Sequence, residues 1–227
     1  MNVIQKMNRL LNGALASLAD RWYISEIHKS PDNFYNMTEP SGKVIQALAG
    51  KAPELLPYVK AKYPEKLTEE VRKAIVLDNP DSIRYFSDDV KLTSYILKER
   101  GEDISEETKS YLVSKNASYI GDMASPSEKV QVSAVLKDNG CITLIDHPCE
   151  AAQRISVARD PFVLSLIEPA ENVCMFAVEQ DPSNIRFIAN PSEKVRMAAG
   201  AYEPQAGIEP VMSDRMENTG RFEELSF

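Results

Sequence analysis

Cys141, His147 and Cys149 fall within one short segment, and Cys174 follows 25 residues after Cys149. Thiolates and imidazole are the donor set that zinc selects, which makes this the first segment to test for chemistry. Cys149 is also expected in the first turn of a helix beside a histidine, a setting that can lower a thiol pKa and activate it as a nucleophile. Both readings fail on spacing and company. The paired Cys-x-x-Cys of zinc knuckles is missing, and neither an oxyanion device nor a third partner accompanies the cysteine. Reversible oxidation of Cys149 outranks catalysis by it.

The remaining chemistry-bearing residues point the same way. His28 has no neighbour in sequence that would make it a general base, and it is expected on an exposed helix face. The pairs Glu69-Glu70, Asp88-Asp89 and Glu106-Glu107 could serve acid/base work or a hard metal, yet they fall at expected helix starts, where negative charge favours the helix dipole. Walker, dinucleotide-binding, HExxH and complete EF-hand patterns are absent from the sequence. The expectation is a non-enzymatic protein with no cofactor and no metal.

His147 and Cys149 have another explanation, which comes from repetition. "SPSEKVQVSAV" at 125–135 returns almost unchanged as "NPSEKVRMAAG" at 190–200, and two further copies begin at His147 and Glu168. The four prolines, Pro126, Pro148, Pro169 and Pro191, are spaced 22, 21 and 22 residues apart. Two residues on stand Glu128, Glu150, Glu171 and Glu193. Four on stand Val130, Ala152, Val173 and Val195; eight on stand Ala134, Ser156, Ala177 and Ala199. Asp138, Asp160, Asp181 and Glu203 follow at the twelfth place, commonly before a second proline. Apolar pairs close each copy: Ile142 and Ile145, Leu164 and Ile167, Ile185 and Ile188. So many columns at one period mark a tandem array. In it His147 stands in the column of Ser125 and Asn190, and Cys149 in that of Ser127 and Ser192.

The template extends backward through segments starting at Ile104, Leu67, Pro40 and Leu18, with only 87–103 irregular, read as a degenerate, shortened unit. Each unit reads as two short helices. Ser125 and Asn190 are expected as N-caps, Pro126 and Pro191 at the first helical position, and Glu at the third, reaching back to the cap amide. Val173, Phe176, Ala177 and Val178 make an apolar stripe at helical spacing. An Asp-Pro or Asn-Pro step ends the first helix and caps the second. Units this small cannot bury their apolar faces alone and must stack. The expected fold is an all-α solenoid of about eight or nine two-helix units of about 22 residues. Residues 1–17, with Ile4, Met7, Leu10, Leu11, Ala14 and Leu15 on one face, form a capping helix, 18–210 the repeats, and 211–227 a tail.

In these columns the chain resembles leucine-rich repeat variant and HEAT-like two-helix repeats, and more closely the tandem repeats, roughly "NPSExVxxxAVxxNPxxIxxI", found in bacterial and phage proteins. The resemblance covers most of 18–210 and is strongest over 125–200. It implies an α-solenoid with an interaction function and transfers no catalytic residue.

The chain has 227 residues, with 34 acidic against 26 basic and a net charge of −8, which disfavours general attachment to nucleic acid or to an anionic membrane. No apolar run approaches the roughly 20 residues that cross a bilayer, so no membrane partner is expected. Three cysteines make no disulfide framework, and the N-terminal sequence lacks a signal-peptide pattern, so a reducing, cytoplasmic protein is expected. The sequon matches at Asn36 and Asn116 then carry no meaning.

A partner is expected on the third and fifth columns, which lie off the core stripe. Lys43, Arg72, Lys109, Lys129, Gln131, Gln153, Asn172, Lys194 and Arg196 would line it as a polar, net basic ladder. The leading expectation is a protein-binding scaffold or inhibitor, of the kind a phage directs at a host protein. The alternative is a nucleic-acid module, either contacting nucleic acid through the ladder or mimicking it with acidic residues. A third expectation makes the tail a docking peptide anchored by Phe222, Leu225 and Phe227.

Overall fold

The computed structural model describes residues 3–200, with side chains from Gly13 onward. The expected tail 211–227, its anchors Phe222, Leu225 and Phe227, and the side chains of Ile4, Met7, Leu10 and Leu11 lie outside the described residues. Ten α-helices occur among those described: α1 (Val3–Lys29), α2 (Gly42–Lys51), α3 (Leu56–Lys62), α4 (Glu69–Asp78), α5 (Val90–Arg100), α6 (Glu106–Lys115), α7 (Glu128–Lys137), α8 (Glu150–Arg159), α9 (Glu171–Gln180) and α10 (Glu193–Ala198). Short 3-10 helices alternate with most of them, and no strand is present among the described residues. None of these helices is long and apolar enough to cross a membrane.

The repeat is visible as a ten-residue α-helix followed by a 3-10 helix, in α6, α7, α8 and α9. One residue joins the two. Asp138 ends α7 in an extended conformation (φ −146°, ψ 115°), and its carboxylate accepts the Gly140 amide at 2.9 Å to start the 3-10 helix Asn139–Leu144. Asp160 and Asp181 do the same for the Phe162 and Ser183 amides at 3.0 and 2.9 Å, as expected of the Asp-Pro steps. A side-chain oxygen bonding the amide two residues on suits the tighter 3-10 turn, and the proline behind it needs no donor.

The cap of the first helix lies two residues later than the sequence suggests. Ser127 and Ser192, rather than Ser125 and Asn190, cap α7 and α10, accepting the Val130 and Val195 amides at 3.4 and 3.3 Å. This placement puts Glu128 and Glu193 in the first turn beside the positive end of the dipole. It also leaves the Pro126 carbonyl outside the helix, where the Gln131 amide donates to it at 2.9 Å. The glutamates do not form the expected capping boxes. Glu106 and Glu171 instead accept hydrogen bonds from Ser127 and Ser192 of the next repeat, at 2.9 and 2.7 Å.

The core follows the repeat columns. Val130, Ala134, Val135 and Ile142 are fully or almost fully buried, as are Val173, Ala177 and Val178, while Phe176 is half-buried. The chain divides into two compact units, Met1–Ile155 and Ser156–Phe227, the division falling inside α8. Within the first, α1 packs on α2, α2 on α4, α4 on α5 and α6 on α7; within the second, α9 packs on α10. Helix packing from neighbour to neighbour is what stacking of small repeats requires. The α2–α4 contact is close at Gly42, where a Cβ would lie 2.5 Å from Val71 Cγ2.

The irregular segment has a simple form. α5 is a full first helix capped by Asp89, which accepts the Leu92 amide at 3.1 Å, but the 3-10 helix after it, Gly101–Asp103, has only three residues. Arg100 stands there in place of the Asp or Asn that precedes most of the longer 3-10 helices. Arg100 closes the shortened turn, pairing with Asp103 and donating to the Leu77 carbonyl at 3.1 Å. At the other end α1 runs without a break from Val3 to Lys29, through the expected boundary at residue 17.

Candidate interaction surface

The cysteines belong to the scaffold. Cys141 and Cys174 are buried, and burial pushes both thiols up, Cys141 to about 11, with the Asp138 carboxylate adding to the shift. Neither is a ready thiolate. Half-buried Cys149 holds the place before α8 that Ser127 holds before α7, and its amide donates to Gln131 Oε1 at 2.7 Å. His147 and His28 are exposed. Among the described residues no group of three or more His, Cys, Asp and Glu is placed to hold a metal.

The expected ladder divides into three classes. Lys43 and Lys129 are exposed and Lys109 half-exposed in the first unit; Asn172, Lys194 and Arg196 are exposed in the second. Arg72 is half-buried and paired with Asp89 at 3.2 Å. Gln131 and Gln153 correct the expectation: they are only 7 and 5 % exposed and do not face a partner. Each amide donates to the prolyl carbonyl before its helix, Pro126 at 2.9 Å and Pro148 at 2.7 Å, and Gln131 also receives the Cys149 amide. The fifth column is therefore partly an inward column that satisfies backbone groups left free by the late caps, and Cys174 in the same column is buried too.

Other cations of the first unit are neutralised between neighbouring helices. Lys60 bridges to Asp88 at 2.9 Å and Lys98 to Asp122 at 3.1 Å, and Arg84 reaches Glu107 at 3.7 Å. The Lys60 ammonium holds the Asp88 carboxyl below its usual range.

A second surface is formed by the 3-10 helices and the equivalent turn of α3. Tyr58, Tyr85 and Leu144 stand at one repeat position, between the two apolar residues that point into the core. Leu144 is 47 % exposed, and the two tyrosines are partly exposed. Tyr35, from the preceding 3-10 helix Pro31–Asn36, meets Tyr58 edge-on with ring centroids 4.8 Å apart. Lys62 donates to the Tyr58 hydroxyl at 2.8 Å, which raises the lysine pKa. The second unit repeats the pattern: Leu166 and Phe187 hold the same position, Phe162 packs edge-on against Phe187 at 5.8 Å, and Arg186 lies over the Phe187 ring at 4.6 Å. Leu166 and Phe162 are about half exposed. Tyr58, Tyr85, Leu144, Leu166 and Phe187 share one repeat position, so the signal is present in the sequence. Standing between two core residues of the same helix, they read as core.

Comparison of the chain with family models, with curated proteins and with solved structures finds no match in any of the three.

Proposed function

We propose that the protein is a non-enzymatic protein-interaction scaffold or inhibitor built on tandem two-helix repeats, and that the partner is a protein segment laid along the partly exposed Tyr58 and Tyr85 of the first unit. The reading rests on one observation: large apolar side chains return at one partly exposed repeat position, Tyr58, Tyr85 and Leu144 in the first unit, with Asp122 interrupting them, and Leu166 and Phe187 in the second, with cations beside Tyr58 and Phe187. Rigid repeated elements present such rows at fixed intervals, and tyrosine gives large contact area at low entropic cost. Cytoplasmic action, and a phage-encoded inhibitor directed at a host protein, remain parts of this proposal.

Contact with nucleic acid through the ladder has less support, because Gln131 and Gln153 are buried, Arg72 is paired and the net charge is −8. Pull-down of the tagged full chain from bacterial lysate, with and without nuclease, separates the two. The scaffold reading expects a nuclease-resistant protein that is lost with Tyr58→Ser/Tyr85→Ser and kept with Lys43→Glu/Lys129→Glu. Nuclease-sensitive capture, or a partner indifferent to the tyrosines, overturns it.

A further inference from the structure

Lys62, the last residue of α3, is a cation held in place by aromatic groups. Its ammonium donates to the Tyr58 hydroxyl at 2.8 Å and lies over the Tyr58 and Tyr63 rings, 5.4 and 5.2 Å from their centroids. Attraction to the ring faces orders a side chain that would otherwise sample many rotamers. Tyr63 is fixed in turn, buried with its hydroxyl donating to the Met37 carbonyl at 2.9 Å.

Lys62 also differs from the cations around it. Lys60, Arg84 and Lys98 reach the carboxylates of Asp88, Glu107 and Asp122, whereas no carboxylate among the described residues lies within ion-pair distance of the Lys62 ammonium. The Tyr58 hydroxyl accepts from Lys62, and its own hydrogen has no acceptor among the described residues. Two donors 2.8 Å apart are therefore available to an outside acceptor. Beside them is an apolar surface, the 46 % exposed Tyr35, which meets Tyr58 edge-on. A carboxylate carries two acceptor oxygens on one carbon and can take both donors.

We infer that the protein segment bound at Tyr58 is acidic: an Asp or Glu side chain accepts from the Lys62 ammonium and the Tyr58 hydroxyl, while an adjacent apolar residue covers the Tyr35 ring. The inference rests on the reading of Tyr58 as a partner surface and names the chemistry of what lies there. With a net charge of −8 the chain repels acidic molecules in general, so the attraction is local. Charge-assisted hydrogen bonds fix the register of the segment, and the rings supply the contact area.

The probe is a short fluorescein-labelled peptide of repeated Pro-Leu-Glu triplets, amidated so that no terminal carboxylate competes. It is titrated with the full chain and followed by anisotropy, with the Gln counterpart as neutral control. The Glu peptide is expected to bind on the order of tenfold more tightly than the Gln peptide. Lys62→Met should weaken the Glu peptide on the order of fivefold, the scale of an exposed ion pair, and leave the Gln peptide unchanged. Tyr58→Phe, which keeps the ring and removes the hydroxyl, should also act on the Glu peptide alone. Lys43→Met, at an exposed lysine of α2, should change neither, with circular dichroism of every variant matching wild type. Equal binding of the two peptides, binding of neither into the millimolar range, a Lys62→Met effect shared by both, or an equal effect of Lys43→Met overturns the inference. If it falls while the captured partner is still lost with Tyr58→Ser/Tyr85→Ser, the scaffold reading stands and the acidic chemistry alone is removed.

Discussion

The Ser127 hydroxyl donates to Glu106 Oε1 at 2.9 Å while its oxygen accepts the Val130 amide at 3.4 Å, so one side chain both caps α7 and ties it to α6. In the second unit Ser192 repeats the arrangement with Glu171 and the Val195 amide. The glutamate sits in its own helix's first turn, where the dipole favours its charge, and it passes that charge to the next cap. Serine in this column therefore links local helix formation to repeat stacking, which explains why Ser-Glu returns as a pair.

Replacing Ser127 with alanine is expected to lower stability by about 1–2 kcal/mol, since a cap is worth about 1 kcal/mol and the charged hydrogen bond adds to it. Glu106→Ala should cost less. Urea denaturation of the two single variants and the double should show positive coupling, smaller than the full effect of Ser127→Ala because the cap survives loss of the glutamate. Additive losses would mean that the tie between α6 and α7 contributes nothing.

The balance of forces at Asp81 gives a pH dependence. Burial pushes its carboxyl up, but the Ser105 hydroxyl and amide, donating to Oδ1 at 2.8 and 2.9 Å, together pull it below the usual aspartate range. A group depressed on folding stabilises the protein above its unfolded pKa, about 3.9, and loses that contribution as pH falls toward the folded value. The stability gap between wild type and Asp81→Asn should be full near neutrality and shrink below about pH 4. Urea midpoints at a series of pH values measure it, and a gap that widens in acid would reverse the assignment.

Much of the fold was legible because the repeat prints its columns many times. The Asp-Pro steps, the small eighth column and the shortened segment before Ile104 all follow from chain chemistry, and the repeat helices form within those columns, though their first turns begin later than expected. The register of the cap was not legible. Ser125-Pro-Ser127 offers two serines within one turn, and the choice depends on Gln131 folding back to the Pro126 carbonyl and on Glu106 of the previous repeat, a contact made only after stacking. The ladder erred for the same reason: a glutamine that bonds backbone groups inside the fold reads, in sequence, like any polar residue on a helix face. The expected tail anchors lie beyond the described residues.

Thiol accessibility should separate the three cysteines. With its pKa pushed up to about 11, Cys141 holds roughly one thiolate in a thousand at pH 8, and burial hinders access further. Cys174 is buried and shifted in the same direction. Iodoacetamide labelling followed by peptide mass spectrometry is expected to modify Cys149 first in native buffer, and Cys141 and Cys174 at comparable rates only in urea. Early labelling of Cys141 would show that its repeat opens locally.

Lys129 and Gln131 stand two residues apart on α7 and should behave oppositely. Gln131 receives the Cys149 amide and donates to the Pro126 carbonyl, so Gln131→Ala leaves two backbone groups without their partners and is expected to cost about 1–3 kcal/mol. Lys129 is exposed, and Lys129→Ala should stay within about 0.5 kcal/mol of wild type. Thermal and urea unfolding of both variants check the contrast. A loss at Gln131 transmitted to Cys149 should also quicken Cys149 labelling, because the amide that precedes α8 loses its acceptor and the first turn of that helix loosens. Equal, small effects of the two substitutions would return Gln131 to the surface ladder and restore the partner-facing role that its burial removes.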